Sequence, residues 1–313
     1  MKFFSTCCLI TMMVVMFCLV SNSAAYEWLG FCTESSKNMF ESCKFGAQDD
    51  YWLAIAKCNN IPNAEKRSTC KSNAEEDLTS MTQECQDQFE VRLEICDGLG
   101  EKAYNPIIKP ADFVDVINNQ FFPLKPGTTF IYEGTTEKGK EHIEVNVTHN
   151  TKKILGVTCI EVRDTVTVDG ALLEDTLDWY AQDKEGNVWY FGENSREFED
   201  GLIVSLEGSW IAGVDRAKPG IIMKANPQVG DLYRQEFSLD VAEDMAKVLR
   251  LNASVTVPYG SSTHFTNCLK TKEFTPLEPD ALEYKFYAKD IGNIRTVDVA
   301  TGDHVDLIDI LTE

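Results

Sequence analysis

The stretch DWYAQDKEGNVWYFGE, residues 178–193, decides what kind of main domain this chain builds. Its centre, DKEGN, is a loop signal, because Gly186 and Asn187 tolerate positive φ, and the flanks alternate as strands do. On the first arm Trp179 and Ala181 take one face, and Asp178, Tyr180 and Gln182 take the other. On the second arm Trp189 and Phe191 oppose Val188 and Tyr190. Both faces are partly apolar, which describes a sheet packed on both sides or lining a pocket. The row Asp178, Tyr180, Gln182 is then either the rim of a site or the wet face of an ordinary hairpin.

Strand-like segments recur outward from this hairpin. TTFIYEG (128–134), HIEVNVTH (142–149) and GVTCIEVRDTVTVDG (156–170) precede it. LIVSLEGSWIAG (202–213), LYRQEFSL (232–239), SVTVPYG (254–260), CLKTKEFTPL (268–277), LEYKFYAKDIGNIRTVD (282–298) and HVDLIDI (304–310) follow. They are short, rich in β-branched and aromatic residues, and separated by Gly, Asp, Asn and Pro, as in an antiparallel sheet. A short helix is expected over about 111–118. A second is expected over 241–251, where Asp240 and Glu243 form a capping box ahead of VAEDMAKVLRL. The expected fold class is α+β, mainly β, with residues 105–313 forming a curved antiparallel sheet, either a barrel or a half-barrel covered by the helix. No βαβ alternation is present, which argues against a dinucleotide-binding fold.

The chain before residue 105 reads differently. Lys2, the apolar run to Val20, and the small residues Ser23 and Ala25 describe a secretory signal peptide over 1–25, the alternative being a membrane anchor. No later stretch is apolar enough to cross a bilayer. Residues 26–104 hold six cysteines, Cys32, Cys43, Cys58, Cys70, Cys85 and Cys96, whose separations of 11, 15, 12, 15 and 11 read the same in both directions. Eleven and fifteen residues approach whole numbers of helical turns, so each set of three shares one helix face. Antiparallel helices over about 30–58 and 68–97 bring the two faces together. The symmetry favours the nested ladder Cys58–Cys70, Cys43–Cys85 and Cys32–Cys96, because it keeps both members of each pair level. Cysteines this far apart do not suit a zinc site. Cys159 and Cys268 are left, and the expectation is a fourth, long-range disulfide; the other reading is a reactive thiol, although neither has a basic neighbour to activate it.

The formal charge of -21 argues against nucleic acid and anionic membranes as partners. Asn146 and Asn252 begin glycosylation sequons, which fits a secreted, extracellular chain.

Several segments resemble a set of predicted secreted bacterial proteins without an assigned activity. They are FFPLKPGTTFIYEG (121–134), GVTCIEVRDTV (156–166), the 178–193 hairpin, GSWIAGVDRAKPGIIMKANPQVGDLYRQE (208–236) and TPLEP (275–279). The resemblance takes in most of the mature chain and implies a shared secreted fold. A looser similarity, through KFYAKDIGNIRTVD, is to curved-sheet periplasmic proteins that carry lipids or lipoproteins.

The four histidines form neither HxH nor HExxH, and GxSxG, P-loop and GxGxxG patterns are absent, so no metal or organic cofactor is expected. His142 and Glu144 share a strand face, as surface residues or as two metal ligands. What remains is a charged set on strands: Glu161, Arg163, Glu174, Asp178, Asp183, Glu193, Arg234 and Glu236. It forms either ion-pair ladders on an outer face or an interior network marking a ligand site. In the second case Asp178, Tyr180 and Arg234 act as acid, proton relay and anion holder. Residues 208–231 carry too many Gly and Pro for regular strands and read as a lid or a plug.

These features favour a binding protein for a small apolar or amphipathic molecule, held in a cavity lined or closed by Tyr132, Trp179, Tyr180, Trp189, Tyr190 and Trp210. The runner-up is a cofactor-independent enzyme in the same cavity, an isomerase, a cyclase or an oxidoreductase of the oxygenase or luciferase type. A third reading is an acidic matrix protein associated with calcium.

Overall fold

The protein is described by a computed structural model covering residues 30–136 and 139–313. The expected signal peptide, with Cys7, Cys8 and Cys18, lies outside the described residues.

Two antiparallel helices come first, α1 (Phe31–Asn59) and α2 (Ala64–Leu99). Asn63 caps α2 by accepting the Lys66 amide at 2.9 Å. The three disulfides pair as the spacing predicts, Cys32–Cys96, Cys43–Cys85 and Cys58–Cys70, with Cα–Cα distances of 5.6, 5.7 and 5.6 Å. Few side chains are buried between the helices; Phe40 stacks on Phe89 at 5.0 Å, and most of the rest is Ser, Ala and cystine. Covalent bridges of about 2–4 kcal/mol each therefore supply what a thin core cannot.

The remainder is mainly β. Its principal strands are β1 (Thr128–Thr136), β2 (Gly139–Ile154), β3 (Val157–Val168), β4 (Ala171–Asp183), β5 (Val188–Asn194) and β6 (Lys218–Met223). They continue as β7 (Leu232–Arg234), β8 (Met245–Val257), β9 (Thr263–Phe274), β10 (Leu282–Ala288), β11 (Gly292–Asp298) and β12 (His304–Thr312). Consecutive strands from β1 to β6 and from β7 to β12 pair antiparallel, and β12 pairs with β1. Between these series β6 pairs with the short strand Glu236–Phe237. The result is a sheet that nearly closes into a barrel.

Residues 208–231 are wall, not lid or plug. Trp210–Ile211 pairs with β5, and β6 joins β5 to Glu236–Phe237. The glycines that obscured this allow close approach, since a Cβ on Gly220 would lie 2.2 Å from the Gln235 carbonyl oxygen.

Neither expected helix forms. Residues 110–112 make one 3₁₀ turn, followed by the short strands Phe113–Val114 and Ile117–Asn119. At 240–244 the capping-box contact does form, the Asp240 amide donating to Glu243 Oε1 at 3.0 Å, but inside a turn closed by the Ser238–Ala242 bridge. Glu243 is also buried and paired with Arg92 of α2, and the chain beyond is recruited as β8 between β7 and β9. Tertiary pairing overrides the helix propensity of Met, Ala, Lys and Leu here.

The expected fourth disulfide is also absent. Cys159 on β3 and Cys268 on β9 are buried free thiols on strands that do not neighbour each other. A disulfide needs Cα atoms within about 7 Å. Burial pushes the Cys159 thiol up to about 12 and raises that of Cys268 as well, so neither is a reactive thiolate.

Candidate functional site

Period-two alternation directs one face of each barrel strand inward, and the 178–193 hairpin sets the pattern. Across β3 and β4, Val162 pairs with Asp178 and Ile160 with Tyr180, while the intervening Glu161 pairs with Trp179. Asp178, Tyr180, Val162 and Asp164 line a cavity of about 330 Å³ that opens to solvent. Its apolar wall includes Phe122, Leu124, Ile143, Val145 and Ile222. The polar wall includes Tyr132, Tyr287, Glu141, Glu273, Glu283 and Lys285. The polar row of the hairpin therefore faces the cavity at Asp178 and Tyr180. Gln182 instead exchanges hydrogen bonds with Asn118 at 2.9 and 2.8 Å, tying down the segment before β1.

The hairpin aromatics divide by face. Tyr180 stacks on Tyr190 at 4.6 Å between ring centroids, Phe122 meets Tyr180 edge-on at 5.5 Å, and Trp210 meets Tyr190 at 5.6 Å. Tyr190, the cross-strand partner of Tyr180, and Trp210 thus pack beside the lining residues on the same face and are not among those that line the cavity. Trp179 lies on the opposite face under Lys152, whose Nζ sits 3.4 Å from the ring centroid. Trp189 packs on Phe113 and donates to Asp183 Oδ2 at 2.8 Å. Of the six expected aromatics, Tyr132 and Tyr180 line the cavity.

The charged set divides the same way. Glu161 and Arg163 are outer-face residues, Arg163 pairing with Asp175 at 2.7 Å. Asp183 organises the hairpin turn by accepting the amides of Glu185 and Asn187 at 3.0 and 2.9 Å. Glu174 accepts the Thr176 hydroxyl at 2.6 Å. Asp178, Glu193 and Glu236 belong to the interior. Arg234 does not join them. The amides of Gln235 and Glu236 both bond the Asp244 carbonyl, a local irregularity that breaks the strand alternation. Glu236 is thereby turned toward Asp178 and Glu193, and Arg234 toward the helices.

Low dielectric governs the interior acids. Burial, and then the charge of Glu193, pushes the Asp178 carboxyl well above its ordinary value. Asp164 is raised well above by burial, then by Asp178 and Glu174, and its Oδ1 is enclosed without a hydrogen-bond partner. Burial pushes Glu193 up to about 8, and Glu236 is raised by burial, Asp244 and Glu193. The Tyr190 hydroxyl lies 2.5 Å from Asp178 Oδ1 and 3.0 Å from Glu193 Oε2. A phenol has one proton to donate, so these two carboxyl oxygens compete for it, and Asp178 is the nearer acceptor.

The opposite wall sets one ammonium between two carboxylates. Lys285 reaches Glu273 at 3.0 Å and Glu283 at 3.3 Å. Burial alone would depress Lys285, but those two carboxylates outweigh it and hold the ammonium well above its ordinary value. Burial likewise pushes Glu273 up, and Lys285 with donations from Tyr287 and Thr271 brings it below its ordinary range. The parity of Glu283, Lys285 and Tyr287 in LEYKFYA was the available signal for this wall.

His142 bonds Glu133 and Glu144 on the surface, at 3.4 and 3.3 Å. Among the described residues no three His, Cys, Asp or Glu side chains are grouped to hold a metal. Asn252 is exposed; Asn146 is half-buried and donates to Thr129 at 2.6 Å.

No protein-family model, no curated protein and no solved structure matches this chain. The cavity has to be interpreted from its own chemistry.

Proposed function

We propose that this is a secreted binding protein for a small amphipathic molecule whose apolar part lies on Phe122, Leu124, Ile143, Val145 and Ile222. Its polar end meets Asp164, Asp178 and Tyr180. The observation that carries the reading is the cavity: about 330 Å³, walled on one side by hydrocarbon and on the other by acids, with one Asp164 oxygen unpartnered. That is the size and mixed chemistry of a small-ligand site. Five carboxyls and one ammonium line it, so the fitting head group is a hydrogen-bond donor or an amine that draws Asp164 and Asp178 into their charged form. The disulfides indicate an oxidising compartment, which agrees with secretion. Among the described residues no helix is long and apolar enough to cross a membrane.

Native mass spectrometry of the protein from its own source, followed by denaturation, tests this. A small molecule released in 1:1 ratio supports the reading and names the ligand. An empty protein that also fails to bind any of a panel of amphipathic amines overturns it.

One observation favours a second reading, cofactor-free acid–base catalysis in the same cavity. Glu193, raised to about 8, is linked through the Tyr190 hydroxyl to Asp178, giving a proton path that titrates near neutrality. Turnover of the released molecule that vanishes in Asp178→Asn, with folding intact, would move the assignment from carrier to enzyme.

A further inference from the structure

Arg234 lies apart from the barrel cavity, at a second pocket of about 340 Å³ between the helical hairpin and the barrel. Its guanidinium sits over the rings of Phe237 and Tyr104, 5.0 and 5.7 Å from their centroids. Its hydrogen-bond contacts are two weak ones to sulfur, at 3.9 Å to Met245 and 4.0 Å to Cys32, and its Nε is buried with no partner. Glu243, the carboxylate whose charge acts on Arg234, is already engaged. Glu243 receives both Nη2 and Nε of Arg92, at 2.8 and 3.2 Å, and the Asp240 amide as well. This half-buried guanidinium has its Nε shut off from water without an acceptor, and among the described residues no carboxylate supplies one.

The surroundings specify what would. In a chain of charge -21 this pocket reverses the balance, with five basic side chains against the two acids Asp215 and Glu243. Lys102, Arg216 and Lys218 join Arg92 and Arg234 in its lining, and Lys218 is held by the Tyr104 carbonyl and Asn105. The rest is largely hydrocarbon and aromatic, from Met39, Ile95, Phe237 and Leu239.

We propose that this junction pocket binds a small amphipathic carboxylate, with Arg234 as its anchor. The planar carboxylate accepts from the free edge of the guanidinium, and the ring faces hold that edge in place. The apolar tail lies along Ile95 and Leu239. Cation–π contact keeps Arg234 in the empty pocket, and the ligand supplies the missing acceptors.

Calorimetric titration of the full mature chain, disulfides intact, tests the proposal with decanoate, decanol and decyltrimethylammonium as probes. Decanoate is expected to bind 1:1, at least ~10-fold more tightly than decanol, with the cationic probe not competing. Arg234→Met is expected to weaken decanoate by at least ~10-fold and leave decanol unchanged, and Arg234→Lys to lose less. Arg163→Met, removing an exposed arginine on the outer face, is expected to change nothing. Because Arg234→Met could disturb packing, Leu239→Trp provides an independent test: it fills the pocket, keeps the charge, and should give the same loss. Absence of saturable decanoate binding, equal affinity for decanol, or full affinity in both Arg234→Met and Leu239→Trp would overturn the proposal.

Discussion

Tyr190 donates a 2.5 Å hydrogen bond to Asp178 from the opposite arm of the 178–193 hairpin. The bond joins a residue beside the cavity lining to one within it, so the aromatic stack and the acid are mechanically one unit. Tyr190→Phe removes the donor and leaves Asp178 buried with an unmet oxygen, at an expected cost of about 1–3 kcal/mol in chemical denaturation. Asp178→Asn keeps an acceptor for the phenol and removes a buried ionisable group. It is expected to retain near-native stability at pH 7 while losing the cavity ligand. A loss of stability in Asp178→Asn as large as that of Tyr190→Phe would show that the carboxylate itself holds the hairpin.

Stability is expected to fall as pH rises from about 5 to 8. The interior acids Asp164, Asp178, Glu193 and Glu236 are all raised in the folded state. For such groups the folded chain binds more protons than the unfolded one, so their contribution is complete below the ordinary carboxylate range and is lost as pH passes their folded values. For Glu193 the window runs from 4.5 to about 8. Glu273, lowered in the folded state, acts in the opposite sense and sets the acid limit. Thermal melts from pH 4 to 9 should peak on the acid side of neutrality. A melting temperature that climbs steadily to pH 8 would mean that the interior carboxyls are charged and solvated.

The cysteine ladder was legible before any coordinates because covalent geometry leaves little freedom. Three cysteines on each of two helix faces can be level in one pairing, and the structure has it. The hairpin and the curved antiparallel sheet were legible for a related reason, since DKEGN and the alternation around it are local signals. What failed were inferences needing knowledge of a neighbour. VAEDMAKVLRL has helical composition, and its recruitment as β8 depends on β7 and β9. Casting Arg234 as the anion holder beside Asp178 assumed unbroken alternation through its strand, and the irregularity at Gln235 lies in the backbone. Face parity put Asp178 and Tyr180 together but could not separate inside from outside, which is why Trp179 and Trp189 were grouped with them.

Cys159 and Cys268 provide a chemical check on the fold. Both are buried, and burial raises both thiols, so native protein is expected to resist a thiol reagent at pH 8. Of the eight cysteines from Cys32 onward, two thiols should become reactive in denaturant without reductant, with the other six released only after reduction. Detection of a Cys159–Cys268 cross-linked peptide in unreduced digests would contradict the strand order.

Arg92 and Glu243 fasten the helical hairpin to the barrel through a buried, two-contact ion pair at 2.8 and 3.2 Å. Breaking it from one side leaves a charge without a partner in low dielectric, which typically costs about 3–5 kcal/mol. Arg92→Met and Glu243→Gln should therefore each be strongly destabilising to the junction, whereas the double replacement Arg92→Met with Glu243→Met should recover part of the loss. The disulfide ladder keeps the hairpin itself folded, so the damage should be local. Hydrogen exchange should rise in β7 and in the turn before β8, with little change in the middle of α1. Additive losses in the double variant would show that the two charges do not depend on one another, and the hairpin would then be held by packing and by the Gln88 bond to the Leu277 carbonyl.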